Sequence, residues 1–123
     1  MKMLVGYDGS EFAKRALARA VTLAGSKGSV AVASVVASNA QASDMVAQQR
    51  LLSEAKGLAG KRDVETLELS GNAAEALMKA ADKAGTDFLV VGSRGRGAAA
   101  SLLLGSVSAT LAREAPCDVV IVR

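Results

Sequence analysis

The chain has no histidine and no tryptophan, and only one cysteine, one proline, one tyrosine and two phenylalanines among its 123 residues. Each shortage removes something. A single thiol, Cys117, cannot close an internal disulfide, and without an imidazole to activate it a Cys/His nucleophile is excluded. Aromatic residues make up 2% of the chain, so there are few rings on which single-stranded bases could stack. Positive charge is not gathered into a stripe either: 15 Lys and Arg against 12 Asp and Glu give a net +3, spread along the chain. Nucleic acid is therefore not an expected partner. No apolar run approaches the length of a membrane span, so no membrane partner is expected. The first residues enter an apolar strand at once, with no signal-peptide pattern, and a cytoplasmic location is the expectation.

What is present is a chain that is 50% hydrophobic and 22% charged, well inside the folded, globular range. Its apolar residues are chiefly Val, Leu and Ala, suited to helices packed closely on a sheet. Residues 1–123 read as one domain, long enough to bury roughly two thirds of its unfolded surface.

Hydrophobic spacing divides the chain into alternating strands and helices. Met3 to Gly6 is a short apolar strand ended by the turn Tyr7-Asp8-Gly9. Ser10 then caps a helix from Glu11 to Ala24, with Phe12, Ala16, Ala20, Leu23 and Ala24 on one face and Gly25 as its stop. Val30 to Val36 is nearly continuously apolar, as a strand covered on both faces should be. After a polar loop from Ser38 to Ser43, Asp44 to Leu58 has helical spacing in Met45, Leu51, Leu52, Ala55 and Leu58, weakened by Gln48, Gln49 and Gly57. Val64 to Leu69 alternates with period two and reads as an edge strand. Asn72 and Glu75 have capping-box spacing for a third helix ending at Gly85. Phe88 to Val91 is a fourth strand, Leu102 to Ala115 a fourth helix stopped before Pro116, and Asp118 to Arg123 a fifth strand. This α/β alternation, with short connections, predicts a five-stranded parallel sheet with right-handed crossovers, and the flavodoxin-like order 3-2-1-4-5 is its default.

The most informative stretch is F-L-V-V-G-S-R-G-R-G-A-A-A-S-L-L-L-G-S-V, from Phe88 to Val107. It reads as strand, glycine-rich loop and helix. Absent side chains let the backbone approach a ligand, and a helix N-terminus beside the loop favours an anion. Arg94 and Arg96 add positive charge, so the segment reads as a phosphate cradle. It is not a P-loop, because Gly105 is followed by Ser106 and Val107 rather than by Lys and Ser or Thr. Nor is it the dinucleotide fingerprint, since G-x-x-G-x-G follows a late strand instead of G-x-G-x-x-G following the first.

In a parallel sheet of this order, ligands bind beyond the strand ends where the order reverses, between strands one and four. The exits there are Tyr7-Asp8-Gly9-Ser10 and the glycine loop. A carboxylate at Asp8 would repel phosphate but accept hydrogen bonds from sugar hydroxyls, although Asp at such a position also serves simply as a turn former. Val35 and Val36, ending strand two, are candidates to touch a base.

Taken together, M-K-M-L-V-G-Y-D-G-S, V-V-G-S-R-G-R-G, L-L-L-G-S-V-S and A-P-C-D-V-V-I-V resemble the universal stress protein family, and the similarity covers essentially the whole chain. The resemblance implies a three-layer sandwich of the flavodoxin-like, adenine nucleotide alpha hydrolase-like type. Gly92-x-x-Gly95, nine residues, then Gly105-Ser106 is the pattern of the branch that binds ATP. By position, Asp8 would meet the ribose, Val35 the adenine, and Gly92, Gly95, Gly105 and Ser106 the phosphates, with Arg94 and Val107 completing the candidate set. Mg2+ would be held mainly by phosphates and water, with help from the Ser106 hydroxyl, and no protein metal cluster is expected. The segment from Ala37 to about Gln49, which in the family helps cover the nucleotide, is shorter here.

No catalytic residues are assigned. With no histidine and no carboxylate inside the glycine loop, binding with slow turnover at most is the expectation. The fifth strand, uncharged from Val119 to Val122, offers an open edge that favours pairing with a second copy, and family members are similarly dimeric. The expected function is that of a dimeric, nucleotide-responsive regulatory factor. A nucleotide-independent dimeric interaction module and a slow ATP hydrolase stand as alternatives.

Overall fold

The computed structural model describes residues 1–95 and 104–123. Five parallel strands, β1 Lys2–Gly6, β2 Ser29–Val36, β3 Glu65–Ser70, β4 Phe88–Gly92 and β5 Asp118–Val122, alternate with four helices, α1 Glu11–Ala24, α2 Ala42–Leu58, α3 Ala73–Ala84 and α4 Ser106–Glu114. The strand order is β3-β2-β1-β4-β5, as the alternation predicts. The central register pairs Leu4 with Ala31 of β2 and with Leu89 of β4.

The pleat sends alternate strand residues to opposite faces, and two cores result. Met3, Val5, Val30, Val32 and Val90 pack with Ala13, Leu17 and Ala20 of α1 and Leu52 and Ala55 of α2. Leu4, Ala33, Leu89 and Val91 pack on the other face with Leu77 and Ala81 of α3 and Leu111 of α4. Fully buried Ala16, Ala20 and Ala55 bring helix backbones close to the sheet. This is why a core with so few aromatic residues can be filled.

Helix ends follow the expected local chemistry where a side chain can act on its own backbone. Ser10 accepts the Ala13 N–H at 3.1 Å and Asn72 accepts the Glu75 N–H at 3.1 Å. Gly85 closes α3 in the left-handed conformation, which only glycine adopts at no steric cost. Four expectations are corrected. The buried face of α1 is Ala13, Ala16, Leu17, Ala20 and Ala24, and Leu23 is 46% exposed. Helix α2 begins at Ala42, two residues early, because the Asp44 carboxylate accepts the Gln41 N–H at 2.9 Å and fixes the first turn. Its inner face is Gln48, Leu52 and Ala55, with Leu51 half-buried and Met45 and Leu58 in solvent. Helix α4 starts at Ser106, so Leu104 lies outside it, because Gly105 adopts an extended conformation as its N-cap. The expected helical residues Leu102 and Leu103, together with Arg96 and Gly97 of the loop, lie outside the described residues.

Candidate functional site

Strand β1 is flanked by β2 on one side and β4 on the other, so the order reverses between β1 and β4. A cleft of about 720 Å³ opens beyond their C-terminal ends. Asp8, Val35, Gly92, Arg94, Gly95, Gly105, Ser106 and Val107 all line it, whereas Val36, the other base-contact candidate, lines a neighbouring hollow and not this cleft.

Asp8 reaches the cleft from the β1 exit. Its Oδ1 accepts the Ser10 N–H at 2.9 Å, which makes the turn and at the same time sets the cap of α1. The same carboxylate turns Oδ2 toward Gly95, on which a Cβ would stand 2.5 Å from that oxygen. The turn-former reading is met by Oδ1, and Oδ2 faces the glycine loop across the cleft. Gly9 between them has φ of 80°, and a side chain there would also collide with Leu51.

The opposite wall is the start of α4, and it is tied down from below. Ser93, immediately after β4, donates its N–H to the Val122 carbonyl at 2.6 Å. Its own carbonyl accepts the Gly105 N–H at 2.7 Å, and the Ser108 hydroxyl lies 2.9 Å from the same oxygen. Ser93 and Ser108 are both buried. The first bond of the helical ladder runs from Ala109 N–H to Gly105 C=O. The N–H groups of Ser106, Val107 and Ser108 therefore precede it, at the positive end of the helix dipole. Arg94 also lines the cleft, and its guanidinium lies 4.7 Å from the centre of the Phe12 ring of α1, a cation–π distance.

The three described glycines of the motif do different things. A Cβ on Gly92 would lie 2.6 Å from Phe12 Cβ and 2.8 Å from its carbonyl carbon, so helix α1 requires that glycine. Gly95 makes room for Asp8. Gly105 has φ of −75°, open to any residue, and among the described residues a Cβ there would find nothing nearer than Arg94 Cα at 3.4 Å. No packing inside the described chain demands glycine at 105, and the space it leaves belongs to the cleft.

Four contributors escaped sequence reasoning. Ser93 and Ser108 carry no motif of their own, although Ser108 stands at the third helical position, where a side chain can fold back on the cap. Buried Tyr7 lines the cleft and donates its hydroxyl hydrogen to Glu54 of α2. Burial first, and then the Glu54 carboxylate, push its ionisation well above the ordinary tyrosine range. Gln48, which weakened the helical pattern of α2, is buried and donates to the carbonyls of Ser34 and Leu69.

A doubly wound α/β sheet with a glycine-lined cleft at the strand reversal defines the class: a flavodoxin-like protein with an open cleft at the switch point. Residues 1–123 match the universal stress protein family along their whole length, and the chain belongs to that family. It is 36% identical to a universal stress protein of Thermus aquaticus, across 98% of this chain and 97% of the relative. The structure resembles a universal stress protein crystallised in complex with cAMP, with a TM-score of 0.81 and 32% identity over 100% of this chain and 97% of the other. A Mycobacterium tuberculosis protein of known structure has 35% identity and a TM-score of 0.68 over 99% and 94% of the two chains. Among the described residues no helix is long and apolar enough to cross a membrane.

Proposed function

We propose that this universal stress protein binds ATP in the cleft between β1 and β4 and acts as a dimeric, nucleotide-responsive regulatory factor with little or no turnover. One observation carries the reading. Asp8 and the Gly105-Ser106 helix start face one cleft of about 720 Å³, a volume inside the usual range for small-molecule sites. A carboxylate and a helix N-terminus want opposite things, and ATP supplies both. Ribose hydroxyls donate to Asp8, whereas phosphate oxygens accept from the backbone N–H groups of Ser106 and Val107 and are balanced by Arg94. Gly105, free of internal packing demands, keeps the phosphate approach open. Val35 supplies an apolar surface for the adenine. Mg2+, when bound with the nucleotide, would be held mainly by phosphate and water oxygens, with the Ser106 hydroxyl the group of this chain that could help hold it and offset phosphate charge. Several charge-assisted backbone contacts, each worth about 1.5 to 3 kcal/mol, suffice for useful affinity without chemistry.

Strand β5 lies at the sheet edge with no charged residue after Asp118 until Arg123. Pairing of two β5 edges satisfies its backbone groups and builds the dimer. The family relative solved with cAMP supports a second reading in which a cyclic adenine nucleotide takes the same cleft, since it shares the base and sugar and carries one phosphate.

Titration calorimetry with ATP and Mg2+, repeated with cAMP, tests the proposal. Saturable heat with one of the two assigns the ligand. No heat with either at millimolar concentration leaves the nucleotide-independent module as the reading that survives.

A further inference from the structure

Beside the main cleft lies a smaller hollow of about 250 Å³, walled by the end of β2, residues 37–40 and the first turns of α2. Ser34, Val35 and Leu51 line both spaces. A flat ligand crossing Val35 from the main cleft therefore enters the hollow, whose polar lining includes the exposed Asn39 and Asp44 and the buried Gln48, and of these Gln48 is fixed in an unusual way. Gln48 is 4% exposed. Its amide nitrogen lies 2.6 Å from the carbonyl oxygen of Ser34 and 2.9 Å from that of Leu69.

Both neighbours of that nitrogen are acceptors only, so the orientation of the amide is decided by chemistry: the NH₂ faces the strands and spends both hydrogens on them. The carbonyl Oε1 is what remains. Among the described residues no hydrogen bond to it is found and no enclosed side-chain oxygen or nitrogen lacks a partner. Oε1 therefore keeps contact with open space, and the space that Gln48 lines is the hollow. The result is a fixed acceptor that cannot rotate into a donor without breaking two bonds to strand carbonyls.

We infer that Gln48 is the base-selecting residue of this site: Oε1 accepts a hydrogen bond from the exocyclic 6-amino group of adenine and disfavours 6-oxo purines. This rests on the nucleotide reading above and deepens it. A 6-amino group offers a hydrogen toward Oε1. The 6-oxo group of hypoxanthine or guanine would bring a second set of lone pairs against it, two acceptors facing each other with no hydrogen between them. Glutamine ordinarily reads adenine with both ends of its amide. Here one end is consumed by β2 and β3, so the discrimination comes from the acceptor alone.

The test compares ATP, inosine triphosphate and the triphosphate of 6-chloropurine riboside by calorimetry on the full chain, and then on Gln48→Leu. The wild type should bind ATP at least about tenfold more tightly than either analogue, the scale of one buried hydrogen bond. In Gln48→Leu the three affinities should converge to within about threefold, because the apolar isostere has no preference between a donor and an acceptor. The ratio, unlike the absolute affinity, is insensitive to a general loosening of α2. Equal binding of ATP and inosine triphosphate by the wild type overturns the assignment, and the wild-type series decides even if the variant fails to fold. A preference for ATP that survives in Gln48→Leu overturns it as well and makes the residue a strand clip alone. Failure of all three nucleotides to bind brings down the nucleotide reading itself, and this assignment with it.

Discussion

Gly95 sits so close to Asp8 that a Cβ on the glycine would stand 2.5 Å from the carboxylate Oδ2, while Oδ1 of the same carboxylate holds the Ser10 N–H at 2.9 Å. The two loops that leave β1 and β4 are thus in register at one atom. Whatever occupies the cleft meets a carboxylate whose position depends on a missing side chain across the sheet. Gly95→Ala should push Asp8 out of place and lower ATP affinity at least about tenfold, the worth of one charge-assisted hydrogen bond. Calorimetry checks this. An unchanged affinity would mean that Asp8 does not touch the ligand.

Gly105→Asp separates binding from folding. An extended Gly105 at the N-cap of α4 accommodates a Cβ at ordinary contact distance, and aspartate is among the best N-cap residues. Thermal stability should therefore hold or rise, by up to about 1 kcal/mol. Nucleotide binding should be lost, because a fixed negative charge would occupy the place of a phosphate oxygen. A thermal melt beside a binding titration reads both. Wild-type affinity in this variant would place the phosphates elsewhere.

Gly92→Ala should do the reverse. Its Cβ would meet Phe12 backbone at 2.8 Å, and overpacking between a strand end and a helix costs about 1 to 3 kcal/mol. Chemical denaturation should show that loss even with no ligand present. Three glycines of one motif then divide into one kept by the fold, one by a neighbouring carboxylate and one by the open cleft.

Ser108→Ala removes the hydroxyl shared between the Ser93 and Gly105 carbonyls. Because Ser93 O keeps the Gly105 N–H at 2.7 Å, the expected cost is only about 1 kcal/mol of stability. That should appear as a drop of a few degrees in Tm. A larger fall would mean that the whole turn after β4 depends on this hydroxyl.

Tyr7 is the chain's one tyrosine, which makes its ionisation readable by ultraviolet absorbance without ambiguity. Burial, reinforced by Glu54, raises its pKa in the folded state from the ordinary 10.0. The neutral phenol is favoured by folding, so the unfolded chain ionises first as pH rises. Stability is fully present below pH 10 and should fall above it, by about 1.4 kcal/mol per pH unit while only the unfolded state is ionised. Denaturation curves across that window test this, and Tyr7→Phe should lack the tyrosine part of the slope. A tyrosinate signal appearing near pH 10 in the intact protein would contradict the geometry.

Much of this architecture is legible without coordinates. Strand order follows from the alternation of apolar runs and helical spacing, and caps such as Ser10 and Asn72 act on backbone three residues away. The cleft residues are legible too, because glycine at 95 and 105 leaves a gap in the side-chain pattern. The inner face of α2 is legible only in part: Leu52 and Ala55 are buried as the spacing predicts. Periodicity marks which residues share a side, but Met45 and Leu58 face solvent while a glutamine is buried. The reason lies in carbonyls of Ser34 and Leu69, 14 and 21 residues away, which no local pattern reports.

The amino-acid sequence by itself determined the elements, their order in the sheet and most of the residues that line the cleft between β1 and β4. Each of these depends on hydrophobic period, chain chirality or the absence of a Cβ, and all are local properties. Only the tertiary structure decided which glycine serves packing and which serves the cleft, where α4 begins, and that Ser93, Ser108 and Gln48 hold the site's walls. Those outcomes depend on hydrogen bonds and close approaches between segments far apart in the chain, and such distances exist only once the sheet has formed.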